Sequence, residues 1–127
     1  MVCSRNVPLE VKGTLSCYKI NGEIKKDSVT ATLKTKSSTV ITSKSGLCGE
    51  PITLEAEVSL TTIRQNGFHV TFTYNTITFS FTKTIRKDCD NPRIDRRGKY
   101  FCNFDKSIKS YLRTACKSLI FCFAFNT

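Results

Sequence analysis

The chain carries a single histidine, His69, and seven cysteines: Cys3, Cys17, Cys48, Cys89, Cys102, Cys116 and Cys122. An imidazole beside a thiolate, oriented by a third group, is the raw material of nucleophilic catalysis. The neighbours of His69 argue against that use. Phe68 and Val70 place it on the polar side of an alternating segment, and cysteines at this density belong in disulfides. Acid–base hydrolysis at neutral pH usually draws on more than one imidazole. No two cysteines are spaced C-x-x-C, so neither a zinc site nor a thioredoxin-type motif is read. Asp88 and Asp90 flank Cys89, with Asp95 close by, but Lys87, Arg93, Arg96 and Arg97 surround them. That pattern reads as local ion pairing rather than paired-acid catalysis. The run Asp88-Cys-Asp-Asn91 clusters too few oxygens for calcium. Glu55 and Glu57 share the outer face of one strand and point to solvent. The expectation is no catalytic residue, no metal and no cofactor.

The basic residues carry more. Twenty Lys and Arg stand against ten Asp and Glu, a net charge of +10. The excess is skewed toward one segment. Lys83, Arg86, Lys87, Arg93, Arg96, Arg97, Lys99, Lys106, Lys109, Arg113 and Lys117 face only Asp88, Asp90, Asp95 and Asp105 within residues 83–117, for a local net charge of +7. A solvated surface would account for such a run, but so would an anionic partner. Arginine suits bidentate capture of phosphate or sulfate, and a bridge through Cys89 or Cys102 would rigidify the loop. These eleven residues are the candidate anion-binding set, for an anionic glycan, a lipid surface or an acidic protein receptor. Tyr100 and Phe101 lie among them, which keeps nucleic acid open through base stacking, although no RNP, KH or zinc-finger pattern occurs.

The elements that must position this set are strands. Ile52, Leu54, Ala56, Val58 and Leu60 alternate with polar residues, as do Phe68, Val70, Phe72 and Tyr74, and both runs have strand periodicity. The phase flips at Tyr74-Asn75-Thr76-Ile77, which reads as a tight turn in a hairpin over 67–86, with Asn75 supplying the positive φ. Val7, Leu9, Val11, Leu15 and Cys17 share one parity, with Gly13 a candidate bulge. Asn21-Gly22 reads as a turn. Val29, Ala31 and Leu33 form another strand and Val40–Thr42 a short one, while Thr42-Ser-Lys-Ser-Gly46 reads as a loop. Ile108, Leu112, Ala115 and Leu119 recur at helical spacing, giving a helix over 105–116 with Asp105 as N-cap. Leu119 to Phe125 reads as a final strand covered on both faces. Six or seven strands predict an all-β, disulfide-stabilised antiparallel β-sandwich of the immunoglobulin or transthyretin kind, with one short helix near the C-terminus. The aromatic residues of 67–81 and 119–125 pack its core. A cavity for a small apolar ligand between the sheets is the alternative.

One domain over 1–127 fits the length. The longest apolar run, Leu119 to Phe125, has seven residues, far below the ~20 of a membrane-spanning helix. Six of the seven cysteines are expected to pair, with connectivity open, and the odd one offers a route to a covalent homodimer. Cysteine content points to secretion, and Met-Val-Cys-Ser-Arg-Asn, which has no apolar leader, then reads as a mature start behind an added methionine.

Val11-Lys-Gly-Thr-Leu-Ser-Cys17 resembles the V-x-G-x-L-x-C opening strand of the nematode transthyretin-like secreted family. Val29-Thr-Ala-Thr-Leu33 is similar to its second strand. Ile85-Arg-Lys-Asp-Cys89-Asp-Asn91 is similar to its I-x-H-x-C-N pattern, with Lys87 where histidine is usual. The resemblance implies a secreted, non-enzymatic binding or effector protein with a β-sandwich fold, and it carries no site residues.

Overall fold

A computed structural model of the chain describes residues 5–118 and 124–125, with side chains as far as Thr114. The strands are β1 (Asn6–Thr14), β2 (Tyr18–Ile20), β3 (Glu23–Lys25), β4 (Ser28–Thr35), β5 (Val40–Leu47) and β6 (Pro51–Ser59). After helix α1 (Leu60–Arg64) come β7 (Phe68–Tyr74), β8 (Phe79–Thr84), β9 (Asp90–Ile94) and β10 (Tyr100–Asn103), then helix α2 (Asp105–Ser118) and β11 (Ala124–Phe125). Two four-stranded sheets, ordered β6-β1-β10-β9 and β5-β4-β7-β8, form an all-β sandwich. Their alternating inner residues meet in one core: Val7, Leu9 and Val11 with Leu54 and Val58 from one sheet, Val29, Ala31, Leu33, Val70 and Phe72 from the other. Burial of this apolar face is what drives the two sheets together.

The sandwich agrees with the sequence, and several details do not. A third sheet, β11-β2-β3, lies outside the two main layers. It turns at Asn21 and Gly22, both at positive φ as the dipeptide suggested. β1 and β10 run parallel, Leu9 beside Tyr100 through Lys12 beside Asn103, so the sheets are not wholly antiparallel. Residues 42–46 are strand rather than loop. β5 pairs with β4 from Thr42 opposite Leu33 to Leu47 opposite Ser28, and Thr30–Ser45 and Thr32–Ser43 hydroxyl bonds of 2.9 and 3.0 Å cross the pair. Its Ser, Lys and Gly suit an edge strand, where little is buried and lysine discourages further pairing. Leu60 belongs to α1, not to the preceding strand. Ser59 caps the helix by accepting the Thr62 N–H at 3.2 Å, and Leu60 and Ile63 are buried one turn apart.

The β7–β8 hairpin stands as expected, but Ile77 lies in its four-residue loop, because Tyr74 pairs with Phe79. The positive φ falls on Thr78, at 51°, not on Asn75. Gly13 is no bulge, since the β1–β6 register is continuous through it. A Cβ there would stand 2.9 Å from Ile108 Cδ1 and 3.2 Å from the Phe72 ring, so glycine admits α2 against the sheet. At the start of α2, Phe104 takes the N-cap place, its carbonyl accepting the Ile108 N–H at 2.8 Å. Asp105 begins the first turn and accepts the Thr14 N–H at 2.9 Å instead. Disulfides join Cys17 to Cys48 and Cys89 to Cys102. The pairing of Cys3, Cys116 and Cys122, and the strand expected over 119–123, lie outside the described residues. No described helix is long and apolar enough to cross a membrane.

Candidate functional site

The basic segment begins where β8 ends. Its first turn is closed by two bonds between Thr84 and Asp88: the Asp88 N–H donates to the Thr84 carbonyl at 3.0 Å, and the Asp88 carboxylate accepts the Thr84 N–H at 2.7 Å. Arg86 sits in this turn at φ 84°, and its guanidinium donates to the Arg64 carbonyl at the C-terminal end of α1, where exposed carbonyls favour a cation. The Cys89–Cys102 bridge then ties the chain to β10, and β9 pairs with β10. At the hairpin tip the Asp95 carboxylate accepts the N–H groups of Arg97 and Lys99, both at 2.9 Å. That closure presents Arg96 and Arg97, both exposed. Beyond β10, the first N–H groups of α2 go to Asn103 Oδ1 (from Asp105, 2.7 Å) and to Asp90 Oδ2 (from Lys106, 2.7 Å).

Asp88, Asp90, Asp95 and Asp105 therefore each accept a backbone N–H. The expected local ion pairing is not how they are used. Backbone donors in tight turns and at a helix start are fixed and close, whereas pairing flexible, solvated arginines costs entropy for little gain. Among the described residues, none of Lys83, Arg86, Lys87, Arg93, Arg96, Arg97, Lys106, Lys109 and Arg113 makes an ion pair, and the three pairs seen involve Lys25 and Lys99.

The structure divides the candidate set. Lys87, Arg93, Arg96, Arg97, Lys106, Lys109 and Arg113 are exposed. Lys106, Lys109 and Arg113, at spacings of three and four, form a row of about 10 Å along α2, off the stripe of buried Ile108 and Leu112. Lys83 is directed onto the Tyr111 ring, 5.0 Å from its centroid, and Arg86 is held on α1. Lys99 is occupied: its ammonium lies 3.0 Å from Glu10 and 3.4 Å from Glu55, which hold its pKa above the usual lysine range. Glu55 is therefore a partner of Lys99 rather than a free outer-face acid. The side chain of Lys117 is outside the described residues. Tyr100 is buried, and Phe101 lies under Arg93 and Lys99, at 5.1 and 5.3 Å.

Sequence reasoning missed Lys12. With Glu10, Asp90, Asn91, Arg93, Phe101 and Asn103 it lines a groove of about 450 Å³ on the outer face of the β1-β10-β9 layer. The alternation of β1 places Lys12 outward, but the parallel β1–β10 pairing that brings it beside the basic segment has no local signal. His69 lies on the outer face of the other sheet, with Nδ1 3.1 Å from the Thr84 hydroxyl. The aromatic residues in the described core touch one another: Phe72 meets Phe81 at 5.5 Å and Phe104 at 5.8 Å, and Tyr18 meets Tyr74 at 5.8 Å. Comparison with protein-family models, with curated proteins and with solved structures returns no match for this chain.

Proposed function

We propose that this chain is a secreted, non-enzymatic binding protein whose basic hairpin and helix engage an anionic polysaccharide. One observation carries the reading. The four acids of the basic segment are engaged by backbone N–H groups, while its exposed cations make no ion pair among the described residues. An array of such cations, mounted on a bridged hairpin and a packed helix, supports binding to a polymer of repeated negative charges at low ordering cost. A polysaccharide fits the extended, polar arrangement better than a lipid headgroup or a protein receptor does. Burial of Tyr100 weakens the base-stacking route to nucleic acid, and the ring contacts of the core favour packing over an apolar carrier. The two disulfides support an oxidising compartment, as the transthyretin-like resemblance implies.

Heparin retention tests this reading. Replacing Arg93, Arg96 and Arg97 by Ser should lower the eluting salt concentration clearly below that of a control losing Lys19, Lys25 and Lys26, which removes equal charge elsewhere. Equal elution of the two variants would reduce the binding to net charge and overturn the proposal.

A further inference from the structure

We propose a second anion site, on the opposite face of the sandwich, that takes a sulfate ester or phosphate monoester group. It is a depression of about 200 Å³ where the β4–β5 turn meets the outer face of β7 and β8, lined by Lys34, Lys36, Ser38, His69, Thr71 and Thr82, together with Thr35. Two lysines, the histidine and four hydroxyl-bearing residues line it, and no acidic residue does; the Thr71 and Thr82 hydroxyls bond each other at 3.0 Å, so one proton of that pair remains to donate. Cationic and hydroxyl donors of this kind suit a tetrahedral oxyanion.

The fold assembles this set from three segments. Antiparallel register puts Lys34 beside His69, His69 beside Thr84, and Thr71 beside Thr82. The Thr84 hydroxyl, 3.1 Å from Nδ1, orients the imidazole and leaves Nε2 as the ring atom for a ligand. The turn is equally fixed. The Ser38 N–H donates to the Thr35 carbonyl and the Lys36 N–H to the Gly67 carbonyl, both at 2.9 Å, and Ser38 holds φ 71°. Lys36 is thereby anchored through its backbone above the sheet. The residues lining the depression all lie outside the basic segment, with only the orienting Thr84 hydroxyl at its edge, so the site stands whether or not that segment binds polysaccharide. If both bind, one molecule meets anionic groups on two opposed faces and can bridge two polyanion strands.

The single histidine supplies the probe. Its imidazole NMR signals, followed during sodium sulfate and sodium phosphate titration at constant ionic strength, should shift saturably, and sodium chloride should not reproduce the shift. The shift should disappear in Lys34→Ser/Lys36→Ser and persist in Arg93→Ser/Arg96→Ser/Arg97→Ser. Lys36→Ser alone, at an exposed position, should weaken affinity by about threefold. Competition by a 6-O-sulfated glucosamine would support the site with a polysaccharide source, and competition by glycerol phosphate would support it with a lipid headgroup source. A non-saturating shift, a shift equal to that with chloride, persistence in the double-lysine variant or loss in the arginine variant would each overturn the site.

Discussion

Asp27 is a buried carboxylate that joins two distant parts of the chain. It accepts from the Tyr18 hydroxyl at 3.0 Å and from the Thr76 hydroxyl at 2.7 Å, and the Thr76 N–H lies 3.2 Å from its Oδ1. It fastens the β2–β3 hairpin to the β7–β8 loop, and Tyr74 adds a bond to the Ser16 carbonyl. Nothing local in the sequence marks this role, because its partners lie 9 and 49 residues away. Burial, with the hydrogen bond and charge of Asp27, pushes the Tyr18 phenol up to about 12, and burial also raises Tyr74. A folded pKa above the unfolded value of ~10 stabilises the chain fully below that pH, and this contribution is lost as pH rises from ~10 toward 12. Denaturant unfolding across that window should therefore show falling stability, with a shallower slope for Tyr18→Phe. Identical slopes would contradict the assignment.

Elements were legible where burial wrote a strong alternation into the residues. β1, β4, β6 and β7 each bury every second side chain along much of their length, the period that marks a strand in the sequence. β5 was not readable in full, because an edge strand with little buried surface needs no alternation. α1 was hidden by Thr61, Thr62 and Ile63, β-branched residues that favour strands, and its helical state is imposed by the cap at Ser59 and the burial of Ile63. α2 announced itself through Ile108 and Leu112, but its seat did not. Gly13 provides that seat, and Gly13→Ala should cost about 1–3 kcal/mol by forcing Ile108 and Phe72 apart. Ile108→Val, which removes the clashing Cδ1, should make the same glycine substitution cheaper. Urea unfolding of the four proteins as a double-mutant cycle checks this, and strictly additive losses would contradict it.

At the scale of the whole molecule, composition disclosed a cationic segment, and topology decided which of its charges face solvent. Lys99 is one of the eleven basic residues of the segment, yet the β6-β1-β10 order brings Glu10 and Glu55 onto it. Lys12, Lys34 and Lys36 lie outside the segment; sheet pairing brings Lys12 and Lys34 to grooves, and the β4–β5 turn brings Lys36. The disulfides close loops of different reach, with separations of 31 and 13 residues. The longer constrains the unfolded chain by about 4 kcal/mol and the shorter by about 3 kcal/mol on loop-closure entropy. The first secures β2 near the start of β6, and the second holds the basic hairpin to its own base.

In the proposed function a defined set of cations, rather than the overall charge, binds polyanion. Its most direct test is the dissociation constant for a heparin oligosaccharide measured across a range of salt concentrations. Counterion release makes the logarithm of affinity fall linearly with the logarithm of salt concentration, with a slope that counts the ionic contacts. A steep slope is expected for the native chain, and one shallower by about two to three contacts for Arg93→Ser/Arg96→Ser/Arg97→Ser. An unchanged slope in that variant would contradict it.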